Sequence, residues 1–373
     1  MRLTNGMKIV RIRETEFRIN YSLLIVMAYV AIVVAAQFPV LIARLDFTAD
    51  QLGLNPVIWG LLFALGIFVS VAIHEAAHVL GLLRDRAKIR CVTFWMIGGA
   101  IESQIIDQKK NHELRNAIVG PLTSFILAGA FLLVANSPTL AANPAVLVAA
   151  VWMSSVNFII ALFNLFPAIP FDGGKVLKSF FSRRYGVVDG TQRTVRVSKI
   201  VALVLGVFGI FTFNLLILFV ALFIYAAAVS ELRLVKIKEA LVGVSVGEVV
   251  LRTDTITKDQ SIAFAAHKMK NEKLNVLPVL LDFKRVAILS IERIKNVPNE
   301  EWESRTVEEI VHDGVTSVEA NEALDAIYQD LSEAPDQTLP VVQAGKTVGV
   351  IRLSDLSDVI QLKALQKKNR QAA

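Results

Sequence analysis

Cysteine is nearly missing from this chain: Cys91 stands alone in 373 residues. A lone thiol excludes an internal disulfide framework and a zinc site built mainly from cysteines. Histidine is scarce too, with five in all. Charge is sparse over residues 21–230, which are apolar with only short charged interruptions. Residues 1–20 are basic, and 231–373 have the mixed composition of an ordinary soluble domain. Hydrophobic residues make up 54% of the chain and its mean hydropathy is positive, so the part before the soluble-like stretch reads as a membrane protein. Nucleic-acid binding is not indicated, because the net charge of +6 comes mostly from Lys and Arg beside apolar runs, where they orient a membrane protein. The first apolar run is too long for a cleavable signal, and no small-residue cleavage motif follows it.

A hydrocarbon core takes about 20 mainly apolar residues per helix. Spans are expected at 21–43, 57–83, 114–136 and 146–166. The run 197–230 is too long for one crossing and splits best near "TFN", residues 212–214, giving a short fifth span and six in all. Arg2, Lys8, Arg11, Arg13 and Arg18 precede span one; Arg84, Arg86, Lys88 and Arg90 follow span two. Further basic clusters follow spans four and six, whereas "ANSPTLAANP" between spans three and four has none. The bias predicts a multi-pass cell-membrane protein with both termini cytoplasmic. Between spans two and three, "IRCVTFWMIGGAIES" is too short to cross, and its β-rich stretches around Gly98-Gly99 predict a hairpin turning at the glycines. At membrane depth such a hairpin must be shielded by protein or line a wet cavity.

The second span contains "VAIHEAAHVLG", residues 71–81. Positions i and i+4 share a helix face, so His74 and His78 can point at one metal ion, with Glu75 beside them to take a proton from water. Two competing readings are a chance pattern and a polar pair joining helices. A catalytic zinc takes three protein ligands and leaves a position open. His267 and His312 fall in the soluble half and His112 in a charged connector. The better third ligand is Asp172 in "FNLFPAIPFDGG", residues 163–174. Pro167 and Pro170 cannot continue a helix, so Asp172 is expected on an unwound segment with Gly173-Gly174 as a turn. His74 is about nine residues, roughly 13 Å, from the cytoplasmic end of its span, which matches the depth at which span four breaks.

"HEAAH" on span two, "NAIVGPLTSF" opening span three, the "WMIGGA" hairpin and "NLFPAIPFDGG" closing span four together resemble the site-2 protease family of intramembrane zinc metalloproteases. The likeness covers roughly residues 1–230. It implies one Zn2+ per chain on His74, His78 and Asp172, with Glu75 as general base. It also implies that Asn164 binds the scissile backbone or stabilises the oxyanion; on the sequence alone, the alternative is that Asn164 merely bridges helices. The family often has Leu before this Asp, where this chain has Phe171. The implied substrate is a membrane-spanning protein in the lipid bilayer, expected to unwind and add as a strand to the hairpin edge.

The soluble half repeats. "NVLPVLLDFKRVAILSIERI" and "QTLPVVQAGKTVGVIRLSDL" align with Pro278 and Pro340 at matching positions. Leu324, Ile327, Tyr328 and Leu331 form a helical stripe. Each copy reads as strand, helix, two strands, helix, and neither is expected to bury its core alone. The pattern resembles tandem cystathionine-β-synthase-type (CBS) domains. That resemblance implies ATP, ADP or AMP in the cleft between copies, and a homodimer through the pair. The family's Ser/Thr-x-x-Asp pattern is incomplete: Arg352 precedes Asp355 in copy two, and Ser290 is followed by Arg293 in copy one.

The expected fold class is therefore a polytopic α-helical membrane protein, about six transmembrane helices with a membrane-associated β-hairpin, followed by a soluble α/β tandem CBS module. Its parts are a membrane metalloprotease domain (1–230), a linker (231–242), CBS repeats at 243–298 and 299–362, and a basic tail (363–373). The alternative is a CBS-regulated transporter or channel, which gives no reason for H-E-x-x-H joined to a Pro-Asp-Gly-Gly break.

Overall fold

The computed structural model describes residues 6–12, 15–53, 55–95, 98–104, 112–282, 285–311, 315–357 and 359–361; the basic tail, Arg2, Arg13 and His312 lie outside them. The chain divides into two compact units at Leu232/Arg233.

Among the described residues six helices are long and apolar enough to cross a membrane: α1 (Tyr21–Ala43), α3 (Pro56–Arg84), α4 (His112–Ala135), α5 (Pro144–Asn164) and α7 (Val187–Phe211) in the first unit, and α8 (Leu215–Leu241), whose last turns belong to the second. Two shorter helices, α2 (Ala49–Leu52) and α6 (Asp172–Tyr185), complete the set. The boundaries follow local chemistry. Asn20, Asn55 and Asn143 each cap a helix by accepting a backbone N–H, and Pro56 and Pro144 occupy first-turn positions whose N–H would be unpaired anyway. Asn214 does the same for α8 after the break at 212–214, accepting from the amides of Leu216 and Ile217.

The fifth span is not short, as expected, but 25 residues long. Its first half, "VVDGTQRTVRVSK", looks too polar to span. Thr191, Thr194 and Ser198 are nevertheless buried, and each hydroxyl donates to the carbonyl four residues back, at 2.7–3.0 Å. The hydroxyls are satisfied within the helix, so the polar half can pack against α6.

The basic N-terminus forms two strands, β1 (Met7–Ile12) and β2 (Thr15–Ile19), and β2 runs parallel to β3 (Lys88–Trp95) of the expected hairpin. Alternation in "TEFRI" explains this. Phe17 and Ile19 pack on a core of Leu82, Val92 and Phe94, while Glu16 pairs with Lys8 and Arg18. β3 pairs antiparallel with β4 (Gly98–Gln104), giving the order β1-β2-β3-β4. The glycines open β4 rather than forming the turn: Trp95 faces Gly98 and Phe94 faces Gly99.

The second unit has the predicted repeat. β6 (Ile256–Thr257) is parallel to β7 (Val276–Leu280), which is antiparallel to β8 (Val286–Ser290). β9 (Val318–Glu319), β10 (Thr338–Gln343) and β11 (Lys346–Arg352) repeat that order, and β5 (Leu251–Arg252) joins β11. The alignment of the two copies holds in the pairing itself, since Pro278 faces Ile288 as Pro340 faces Val350. Helices α9 (Ile262–Glu272) and α11 (Leu324–Glu333) occupy equivalent places, and α10 (Ile291–Lys295) follows β8. Each copy's lead-in packs on the other copy. Val246 lies in the core with Leu324 and Val341, while Val307 lies in the core with Ile262 and Leu277. The exchange explains why neither copy closes its core by itself.

Candidate metal centre and active site

His74 and His78 lie one turn apart on α3, and both are buried. Asp172, also buried, is the first residue of α6. It does not sit on an unwound segment. The chain unwinds at 165–171, and the helix restarts at the aspartate, so Gly173 and Gly174 lie inside its first turn. A Cβ on Gly173 would come within 2.2 Å of the Leu165 carbonyl oxygen, so the missing side chain brings the helix start against the end of α5.

The three side chains meet. Asp172 Oδ2 lies 3.2 Å from His74 Nε2 and 3.1 Å from His78 Nε2, and the two Nε2 atoms are 3.3 Å apart. Donor atoms about 2.0–2.1 Å from a tetrahedral zinc lie about 3.3 Å from each other, so these spacings match three corners of such a site. The protonation pattern agrees. His78 Nδ1 donates to the Asn116 carbonyl at 2.8 Å, which leaves the Nε2 lone pair facing inward. His74 Nδ1 bonds Ser124 Oγ at 2.9 Å. Two inward nitrogens and a carboxylate oxygen this close repel one another unless a proton or a cation lies between them. The donor set therefore fits a divalent metal, and the outer hydrogen bonds orient the rings as metal-bound imidazoles require.

Several contributors were not read from the sequence. Lys175 Nζ donates to Asp172 Oδ1 at 2.9 Å, leaving Oδ2 for the histidines. A Cβ on Gly120 would lie 2.2 Å from His78 Nε2 and 2.7 Å from His74 Nε2, so only glycine leaves the centre open on the α4 side. Arg115 forms an ion pair with buried Asp85, joining α4 to the end of α3 beside the Asn116 contact. Arg115, Asn116, Gly120 and Ser124 cluster in "RNAIVGPLTSF", but nothing in its local pattern says which atoms face another helix.

Glu75 is half-buried, and its Oε1 accepts the Gly99 N–H at 2.9 Å. A Cβ on Gly99 would fall 2.5 Å from Glu75 Cδ, so the glycine lets β4 reach the carboxylate. Among the described residues β4 pairs only with β3, and its other edge carries this N–H. Asn164 ends α5, half-buried, with Nδ2 donating to the Ile160 carbonyl at 2.9 Å.

In the second unit, Arg352 Nη2 and Nε bond the Asp355 carboxylate at 2.7–3.1 Å, so the two expected nucleotide contacts engage each other. Ser290 is buried at the end of β8. A cavity of about 510 Å³ in this unit is lined by Ser245, Arg252, Glu319, Asn321 and Gln343 among others, and by none of these three.

A buried metal-fitting group with a carboxylate next to it, in a unit of lipid-length helices, is the arrangement expected of a membrane-embedded metallohydrolase. Peptidase family M50 matches residues 137–209, from just after α4 through α5 and α6 into α7. The chain is similar over most of its length to the zinc metalloprotease MJ0392 of Methanocaldococcus jannaschii: 28% identical over 315 residues, 84% of this chain and 89% of that protein. Both similarities point the same way: part of the membrane unit matches the M50 peptidase family, and most of the chain is similar to a zinc metalloprotease. Among solved structures, a site-2 protease from Methanocaldococcus jannaschii aligns with a TM-score of 0.44 at 26% identity, covering 61% of this chain and 94% of that one. The CBS-pair protein CBSX2 of Arabidopsis thaliana aligns with a TM-score of 0.29 at 20% identity, over 34% of this chain and 99% of its own.

Proposed function

We propose that this protein is a zinc-dependent endopeptidase that cuts membrane-anchored proteins within or beside their transmembrane segments. His74, His78 and Asp172 hold the ion, and Glu75 is the general base. The observation that carries the reading is the meeting of two Nε2 atoms and one carboxylate oxygen at 3.1–3.3 Å, from segments 94 and 98 residues apart in sequence. Zinc, when bound there, polarises the substrate carbonyl and lowers the pKa of water to about 7. Glu75 takes the proton and returns it to the leaving amine. Asn164, once its bond to Ile160 is released, holds the scissile backbone.

A substrate helix hides its carbonyls in its own hydrogen bonds and must unwind before attack. The free edge of β4 supports pairing with the unwound strand. The Gly99 N–H, now on Glu75, is among the donors such a strand would use, so docking and release of the carboxylate would be linked. The flanking Lys and Arg support cytoplasmic termini, which a fusion reporter at each end would test. Incubating detergent-purified protein with a model membrane-spanning substrate tests the whole reading. Wild type should cut, while Glu75→Gln and chelator-treated protein should not; equal cutting by all three would refute it.

Regulation by adenine nucleotide is supported by the resemblance of the second unit to CBS pairs and by its open polar cavity. Titration of ATP, ADP and AMP should give saturable binding that alters proteolysis, and silence at millimolar nucleotide would remove the idea. Dimerisation through the pair should show as a change in mass when the second unit is deleted.

A further inference from the structure

We propose that the cavity between α1, α3, the end of β3 and the start of β4 is a subsite for one large apolar side chain of the substrate, next to the scissile bond on its membrane-buried side. The inference rests on the endopeptidase reading and adds a substrate preference to it. The cavity holds about 170 Å³ and is lined by Met27 and Val30 of α1, Ala64, Phe68 and Val71 of α3, and Gly98 of β4, among others. A closed apolar cavity of about 150 Å³ stays dry and takes benzene, so this one has room for a leucine or phenylalanine side chain.

Its position links it to the chemistry. Gly98 on its rim precedes Gly99, whose N–H bonds Glu75. Val71 on its wall is one turn of α3 before Glu75 on the same face. That turn is about 6 Å of helix, and a strand advances about 3.3 Å per residue, so the bound side chain lies within about two residues of the cut bond. The hairpin that would pair with the substrate also walls the cavity through Phe94, Trp95 and Gly98, which favours a substrate side chain over a lipid chain as occupant. Lipid is as apolar as leucine, so selection here comes from shape and close contact rather than from leaving water. A misfit of one methylene in such a pocket changes selectivity by about 10- to 200-fold.

The test uses full-length zinc-loaded protein and one membrane-spanning substrate in which each residue within two of the cut is made Ala, Leu or Phe in turn. Wild type should prefer Leu or Phe over Ala by about tenfold or more in kcat/KM at one position. Ala64→Leu fills the cavity from α3 and Met27→Trp from α1; each should lower that ratio about tenfold with zinc content retained. Phe68→Ala should shift the preference toward Phe. Leu133→Phe on α4 is lipid-facing, 75% exposed, and should leave the ratio unchanged. Cutting without preference at any position would overturn the subsite alone, as would filling variants that slow Ala and Phe substrates equally, the result expected of an acyl chain. No cutting by zinc-loaded wild type would overturn the endopeptidase reading, and the subsite with it.

Discussion

Ser70, His74, His78, Ser124, Asn157, Asp172, Thr191, Thr194 and Ser198 are all buried in the first unit, whereas Ser290 and Thr338 are the buried polar side chains among the described residues of the second. The exposed large hydrophobics show the reverse. Leu133, Phe211 and Phe213 are 75%, 80% and 92% exposed in the first unit, while in the second Val242 and Phe264 are two of the few. In lipid an outward Leu costs nothing, and every inward polar group must find a partner within the protein. In water the second unit must bury its apolar residues instead. The first unit thus has polar groups to spare for chemistry in its interior, and the second has an interior made for stability.

The sharpest way to break that contrast is at the centre itself. Glu75→Gln should lower the cleavage rate about 10²- to 10⁴-fold while metal content, measured by mass spectrometry, stays near one per chain. Asp172→Ala should remove the metal as well as the activity, because it deletes the one ligand from α6. Ser124→Ala leaves all three ligands in place and frees only the far side of the His74 ring. Metal affinity should fall about 10- to 100-fold, read by competition with a chelating dye.

The same truncation in each unit sharpens the comparison. Leu324 is fully buried in the second unit, and Leu324→Ala should cost about 2–5 kcal/mol in denaturant unfolding of that unit. Leu133→Ala on the lipid face should change stability by less than about 0.5 kcal/mol. The smallest effect belongs to the N-terminal sheet. Hydrogen bonds from Lys8, and then Arg18, hold the Glu16 carboxyl down at about 2, below its usual 4.5. A lowered carboxyl contributes stability above its unfolded value and loses it as pH falls through the folded one. Hydrogen exchange in β1 and β2 should therefore speed up, beyond its intrinsic pH dependence, between about pH 4.5 and 2. Glu16→Gln should flatten that change, and the whole effect should be small because the pair is solvated.

Much of the fold was legible because it rests on short-range rules. Apolar run length marked the spans, and a segment that recurs with Pro278 and Pro340 at matching positions marked the paired sheets. The parts that were missed depend on contacts made elsewhere. Strands β1 and β2 read as an orientation signal because their partner, β3, lies beyond two whole membrane spans. Helix α6 and the polar half of α7 read as connector, since their composition is that of a loop until each buries the other's polar face. At the centre, i and i+4 spacing gave His74 and His78, and the proline break pointed to Asp172. Ser124, Gly120, the Asn116 carbonyl and Lys175 left no comparable mark. Arg352 and Asp355, three positions apart, are bonded to each other, a contact their spacing permits but does not announce.

The sequence alone determined which segments enter lipid, that two copies of one α/β unit follow, and that two imidazoles share a helix face. Each of these follows from run length, repetition or spacing read along the chain. Only the tertiary structure decided which oxygen of Asp172 meets the imidazoles, which donors turn those rings, and which N–H lies against Glu75. Those are distances between helices far apart in sequence, set by how side chains of particular shapes pack, and no local pattern encodes them.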